Sequence, residues 1–411
     1  MRSHCLSESR MSVTFDFSLS PPASLLITDD WLLITQSPSR ASPPCNLNNM
    51  YFPLMRIAIY SNAYGPSHGG GGVFIFAIAA ALAERHEVFL HLPGEFVAEL
   101  AANFFPELAG CESIHFCRTP IIHGPLRELR QALYDRRFDA VLLQDSTPPR
   151  LTLNRRATIL CEFPLVPVRG WRNRLRLRSW RTVLGNSQFT AKWIAQRWGR
   201  TAAVLYPPVA PITPLPKKPW IFGAGRFLGH GRTKRQLEMV QLFRELCADG
   251  LTGWELHLAG FVLDTEYLAH VRAAAQGLPV HLHLDIQRPE LERLYGEASL
   301  FWHAVGEGLD METQPQGMEH FGIVTVEAMS AGCVPVVFAG GGQPEIVGTD
   351  GQAGYLWHTR EEWRKQTLEL IHDTDRRQRL GAAASARVAR FAMPPFRQHI
   401  AELFHLANRL R

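Results

Sequence analysis

The chain has 411 residues, more than one hydrophobic core usually covers, so two domains are expected. Its 46% hydrophobic and 20% charged residues exclude a mainly disordered, collagen-like or low-complexity protein, and no apolar run reaches the roughly 20 residues that span a bilayer. A formal net charge of +5 is modest for this length, and nucleic acid is not expected as a partner.

The seven cysteines, at 5, 45, 111, 117, 161, 247 and 333, form no CxxC pair and are odd in number. They describe neither a disulfide framework nor a zinc site, and they fit a reducing, cytoplasmic setting. Residues 1–54 are rich in Ser, Pro and Asn, without a sustained period or the layout of a secretory signal. They read as a disordered or translated upstream extension, with Met55 as the start of the folded protein. From Met55 onward, short β-rich runs alternate with helical segments, the pattern of a mostly parallel sheet covered on both faces.

The first series of strands includes Ile57 to Tyr60, Val88 to His91, Ala140 to Leu143 and Ala157 to Leu160, with Val73 to Ala83 as a buried helix. A proline-rich connector, Pro207 to Pro216, marks the expected domain boundary. The second series runs through Trp220 to Gly223, Glu255 to Ala259, His281 to Leu284, Leu300 to His303 and Val334 to Phe338. The expected fold is α/β: two Rossmann-like doubly wound domains facing each other across a cleft. These are 55–210 and 211–390, followed by a helix over 391–411 whose stripe of Phe396, Ile400, Leu403 and Phe404 returns to the first domain.

The stretch Glu319-His-Phe-Gly-Ile-Val-Thr-Val-Glu327 carries the most chemistry. A helix starting at Gly322 or Ile323 leaves its first backbone N–H groups free for a phosphate or a sugar hydroxyl, with Glu319 just before it and Glu327 one to two turns in. Two carboxylates around free amides suit a sugar nucleotide. The same residues also describe a capped helix with Glu319 placed favourably for the dipole and Glu327 in solvent. Gly223-Ala-Gly-Arg-Phe227 ends the first strand of the second series, and Lys234 opens the next helix. Arg226 and Lys234 are the cations to set against a leaving diphosphate, or alternatively a surface ion pair and a solvated helix start. In the first domain, Ser67-His-Gly-Gly-Gly-Gly-Val73 follows strand one where α/β folds bind phosphate, although neither glycine cluster has the GxGxxG spacing of a dinucleotide site.

These residues resemble the retaining glycosyltransferases of family 4, which have the GT-B fold. The resemblance rests on the glycine-rich loop, Asn186-Ser-Gln-Phe-Thr190, Tyr206-Pro-Pro-Val209, Gly225-Arg-Phe227 with its downstream lysine, and the Glu319 to Glu327 signature. Together with Gly340-Gly-Gly-Gln-Pro-Glu-Ile-Val347, the signature is similar to that of the mannosyltransferases that extend lipid-linked oligosaccharides. The resemblance implies that Arg226 and Lys234 bind the donor diphosphate, Glu319 the donor sugar and Glu327 the ribose. Amides of Gly322, Ile323 and Val324 complete the cradle, and Gly70 and Gly71 close on it. Where relatives carry a first-domain histidine near the sugar, this chain has Cys161-Glu-Phe-Pro164, so Glu162 is expected as a substitute. Reaction on one face through an oxocarbenium-like state is implied, without a metal or other cofactor; Asp373-Thr-Asp375 is a formal DxD in a charged helical stretch.

Two further features bear on partners. Trp302 and His303 end a strand before the acidic loop and are expected to line the donor cleft. Arg169 to Arg181 is the one strong cationic cluster, expected either as a solvated face or as a peripheral contact with an anionic membrane surface through Trp171 and Trp180. The function expected is sugar transfer, of mannose, glucose or similar, from a nucleoside diphosphate donor to a saccharide or lipid-linked hydroxyl. A nucleotide-sugar epimerase or phosphorylase of the same fold, and a non-catalytic sugar-nucleotide binding protein, are the other readings these motifs admit.

Overall fold

The computed structural model separates into two compact units, Met1–Asn49 and Met50–Arg411. The structure describes residues 54–61, 70–92, 111–119, 126–230 and 233–409, all in the second unit, with side chains described as far as residue 404. Residues 1–53 and 67–69, on which the N-terminal extension and part of the glycine-rich loop fall, lie outside the described residues.

Two parallel sheets organise the second unit. The first contains β1 (Arg56–Ser61), β2 (Glu87–Leu92), β3 (Ile114–Arg118), β4 (Ala140–Gln144), β5 (Ala157–Cys161), β6 (Thr182–Gly185) and β7 (Ala203–Val204), in the spatial order β3-β2-β1-β4-β5-β6-β7. The second contains β8 (Lys218–Ala224), β9 (Glu255–Gly260), β10 (Val280–Leu284), β11 (Ala298–His303), β12 (Val334–Phe338) and β13 (Tyr355–Trp357), in the order β10-β9-β8-β11-β12-β13. In each sheet the order reverses beside the first strand, between β1 and β4 and between β8 and β11. Crevices for ligands open at the carboxyl ends of strands at such points. The expected α/β doubly wound architecture is therefore present in both sheets.

The central strands are apolar on both faces because helices cover both. All five residues of β4 and all six of β11 are buried. Helix α1 (Gly70–Ala83) carries apolar residues all round and buries Phe74 to Ala79 against the first sheet. Strands β3, β6, β7 and β13 escape the sequence reading because they are short or alternate in polarity.

Six further helices position the site: α2 (Arg127–Tyr134), α3 (Gly170–Ser179), α4 (Gln188–Trp198), α5 (Gln236–Ala248), α6 (Thr265–Ala275) and α7 (Arg288–Glu297). They are followed by α8 (Ile323–Ser330), α9 (Gln343–Val347), α10 (Arg360–His372), α11 (Thr374–Val388) and α12 (Met393–Arg409). Helix α12 lies on α1, burying Phe396, Ile400 and Phe404 in the first core, with Arg397 Nε 2.6 Å from Glu84 Oε1. The proline-rich connector is packed rather than free. The Val209 amide donates to Phe391 O (2.8 Å), the Ile212 amide to Ser330 Oγ (3.0 Å), and the Leu215 amide to Gly296 O (3.1 Å).

Candidate active site

The acidic stretch folds as a loop running into α8. Gly322 is the N-cap at φ 123°, a backbone region closed to most side chains, and a Cβ there would lie 2.6 Å from Gln343 Nε2. The first helical amides to bond inward are those of Thr325 and Val326, both to Gly322 O. The amides of Ile323 and Val324, at N1 and N2, thus occupy the orphan positions of a helix start. At the other end Gly332 adopts φ 78°, and the Cys333 amide donates to Ala328 O (2.9 Å), so the helix stops and β12 begins.

Glu319 stands just before this helix and is the centre of a charged chain. Lys234 Nζ donates to its Oε2 at 2.5 Å, and His303 Nε2 lies 3.2 Å from the same oxygen. On its other side the His303 Nδ1 is 3.4 Å from Gln343 Nε2. The neutral histidine tautomer that fits both contacts carries its proton on Nε2, donating to Glu319 and accepting from Gln343. Burial alone would raise the Glu319 carboxyl, but the Lys234 ammonium and the His303 hydrogen bond override it and hold it well below the usual carboxylate range. Burial lowers the His303 imidazole, with the Glu319 hydrogen bond and charge opposing. Glu319 is therefore ionised at neutral pH, an acceptor of hydrogen bonds and not a proton donor.

Backbone packing makes room for the cation. Gly225, just past the end of β8, has φ 156°, and a Cβ there would fall 2.5 Å from Lys234 Cγ. The buried amide of Gln236 donates to Gly225 O (2.9 Å) and Arg226 O (3.1 Å), holding this turn against the start of α5. Arg226 itself is half-buried and makes no ion pair among the described residues.

Across from the second sheet, Glu162 follows β5. A Cβ on Gly71 would lie 2.6 Å from Glu162 Oε1, and one on Gly70 would lie 2.8 Å from Ile323 Cδ1. The start of α1 thus abuts both the first-sheet acid and the N-terminus of α8. Gln144, at the end of β4, donates from Nε2 to Gly71 O (3.0 Å) and Glu162 Oε1 (3.1 Å), while Ser61 at the end of β1 donates to Gln144 Oε1. The residues that follow the two acids also meet: Phe163 and His320 stack with ring centroids 4.1 Å apart. Glu162 and Glu319 are in this way carried on loops clamped together by aromatic contact.

Glu327 is buried rather than in solvent, and its Oε1 accepts from Arg288 Nη1 at 2.5 Å. Burial would lower the Arg288 guanidinium, but the Glu327 carboxylate outweighs it and raises it. Gln144, Arg288 and Gln343 are the participants that sequence reasoning missed. Gln343 sits inside the glycine-rich motif 340–347, which could have flagged it, whereas nothing around Arg288 marks a partner 39 residues away.

Two expectations require correction. Trp302 is fully buried and donates from Nε1 to Thr367 Oγ1 (3.1 Å), because alternation along β11 turns it away from the face that holds His303. Trp180 is fully buried as well, with its Nε1 donating to Arg150 O (2.7 Å), so it is unavailable to a membrane; Trp171, 70% exposed, is not. Asp373 caps α11, accepting from the Arg376 amide (2.8 Å) between two helices, so the formal DxD is a helix-capping device.

A third group of motifs meets at Glu345. The amides of Gln188 and Phe189, the first two residues of α4, donate to its two oxygens at 2.8 Å each, and Tyr206 Oη donates at 3.0 Å. The third amide, Thr190, donates to Ser187 Oγ (3.0 Å). The helix start in the first-sheet half is thus completed by a carboxylate from α9 in the other. Burial and the Glu345 carboxylate push the Tyr206 phenol up to about 12.

Comparison with known proteins fits this geometry. Residues 212–387 match the family model of glycosyl transferases, group 1. The sulfoquinovosyl transferase SQD2 of Arabidopsis thaliana is 25% identical over 180 residues, 43% of this chain and 31% of that protein. A D-inositol 3-phosphate glycosyltransferase of Corynebacterium kroppenstedtii is 32% identical over 108 residues, 26% of this chain and 24% of its own length. The chain therefore spans under a third of the length of these curated relatives. Among solved structures, a glycosyltransferase from Rickettsia africae aligns with a TM-score of 0.66 at 14% identity, covering 88% of this chain and 100% of that one. Anabaena HepE, solved in complex with UDP and glucose, aligns with a TM-score of 0.64 at 18% identity, covering 85% and 99%. The fold is the GT-B fold of these enzymes, and with the match over residues 212–387 it supports a group 1 glycosyltransferase.

Proposed function

We propose that this protein is a retaining glycosyltransferase that moves a hexosyl group, mannose, glucose or similar, from a nucleoside diphosphate donor to a saccharide or lipid-linked hydroxyl. The observation that carries the reading is the Lys234–Glu319–His303 chain at the carboxyl ends of β8 and β11, set before the free amides of α8. The donor diphosphate would lie against those amides, with Lys234 and Arg226 countering the charge that grows as the glycosidic bond breaks. Glu319, held ionised, would accept hydrogen bonds from donor-sugar hydroxyls, and Glu327 from the ribose once Arg288 shares it. Glu162, beside Gly71, would face the sugar from the first sheet. The departing phosphate oxygen would take the acceptor's proton on the same face, so no metal ion is invoked in this cleft.

The crystal of HepE with UDP and glucose makes uridine the first base to test. The exposed Trp171 and Leu175 on the arginine-rich α3 favour an acceptor presented at an anionic surface, and no helix among the described residues is long and apolar enough to cross a membrane. Thermal unfolding with nucleoside diphosphates and their sugars, without added metal, should show a selective rise; a ligand at a hundred times its Kd stabilises by about 2.7 kcal/mol. Glu319→Ala should abolish release of the nucleoside diphosphate from the matching donor while the protein stays folded. Unchanged turnover in that variant would overturn the role given to Glu319.

A further inference from the structure

The second sheet carries a cluster of ligand-type side chains away from the cleft. Glu255 and His257 lie two residues apart on β9 and so project from the same face, and His281 on β10 is in register with His257. Glu255 Oε2 is 3.0 Å from His257 Nε2 and 3.1 Å from His281 Nε2, and all three atoms lie within 4.8 Å of one another. Around a tetrahedral ion with metal–ligand bonds of about 2.05 Å, ligand atoms are separated by about 3.3 Å, so both carboxylate–imidazole distances already lie within a few tenths of an ångström of that spacing.

The surroundings are those of a built site rather than a chance meeting of polar groups. The other ring nitrogen of His257, Nδ1, lies 3.0 Å from His283 Nε2, and His283 Nδ1 is 4.0 Å from Glu290 Oε1. Ligating histidines are oriented in this way by a partner on their second nitrogen. Trp220 stacks on His257 with ring centroids 3.9 Å apart, which fixes the plane of the ring from below. His257 is buried, but the Glu255 and His281 side chains are 40% and 49% exposed, leaving an entry path and a position for water.

We infer that Glu255, His257 and His281 bind one divalent transition-metal ion of the zinc class, with water completing the shell. Two imidazoles and one carboxylate suit zinc or cobalt over magnesium or calcium, which prefer all-oxygen sites. The site is separate from the proposed transfer chemistry. Glu255 is paired with Trp220, five residues before Gly225, which corresponds to about 16 Å of extended strand. An ion there would tie the edge strand β10 to β9, stabilising a sheet edge that otherwise depends on its own ladder.

The test uses the full chain, stripped with chelator and titrated with cobalt(II) alone, followed by zinc(II) alone in a calorimeter. The expected result is one equivalent per chain, with the visible absorption of four-coordinate cobalt and a metal-dependent rise in melting temperature. His281→Ala and Glu255→Gln alter half-exposed groups, so both variants should fold; each should lower metal affinity about tenfold or more. Their response to nucleoside diphosphates should match that of the unaltered chain. Absence of stoichiometric binding, or binding of equal strength in both variants, would overturn the assignment.

Discussion

Glu345 offers the most direct test of how the two sheets are joined. Its carboxylate satisfies two orphan amides of α4 at 2.8 Å and the Tyr206 hydroxyl at 3.0 Å. Hydrogen bonds to a charged acceptor each contribute about 1.5 to 3 kcal/mol, and partial exposure of Glu345 argues for the lower figure. Removing all three contacts with Glu345→Ala should therefore cost about 4.5 kcal/mol, of which the two amide bonds at the start of α4 account for about 3 kcal/mol of local stability. Glu345→Gln keeps one acceptor oxygen but sets an NH2 group against a second amide, so about half of that loss is expected.

The assay is amide hydrogen exchange over residues 186–191 in the native protein. A local loss of about 3 kcal/mol corresponds to exchange about a hundredfold faster at Gln188 and Phe189, with Gln intermediate. Thr190 should change less, because Ser187 caps it within the same segment. Protection at Gln188 and Phe189 that is unaltered in Glu345→Ala would refute the argument that a residue of one half completes a helix of the other.

Two glycines should separate flexible from rigid neighbours. Gly341 has φ 64°, and a Cβ there would lie 1.9 Å from the Glu319 backbone oxygen, so Gly341→Ala should cost about 3 kcal/mol or more in denaturation and displace the acidic loop. A Cβ at Gly71 meets only the movable end of Glu162, so Gly71→Ala should change stability little and lower turnover by displacing that carboxylate; equal stability losses at the two positions would contradict this. His91 is buried, which lowers its imidazole from 6.5 to about 4, so the folded state keeps it neutral while the unfolded chain takes up a proton below about 6.5. Its contribution is thus present above pH 6.5 and lost as pH falls toward 4, about 3 kcal/mol over that window. Denaturation of His91→Phe across the same range should lack this part of the acid loss, and a parallel pH profile for both proteins would refute it.

The central strands of both series, the helix from Ile323 and the cap at Gly332 were legible in the chain, because buried parallel strands are short apolar runs and glycine marks conformations other residues avoid. The placement of Glu319 before a helix start was legible for the same reason. What the chain order could not convey were pairings between residues far apart. Glu319 with Lys234 and His303 depends on the crossover that sets β11 beside β8, whereas Glu327 with Arg288, and Glu345 with the first amides of α4, depend on helices that meet only after packing. The two tryptophans show the same limit: an aromatic beside arginines reads as interfacial, yet Trp180 found a buried carbonyl acceptor in Arg150 O, and only the packed structure supplies that partner. Local propensity and periodicity determine elements over a few turns, whereas charge pairing and burial are properties of surfaces that exist only once those elements have packed.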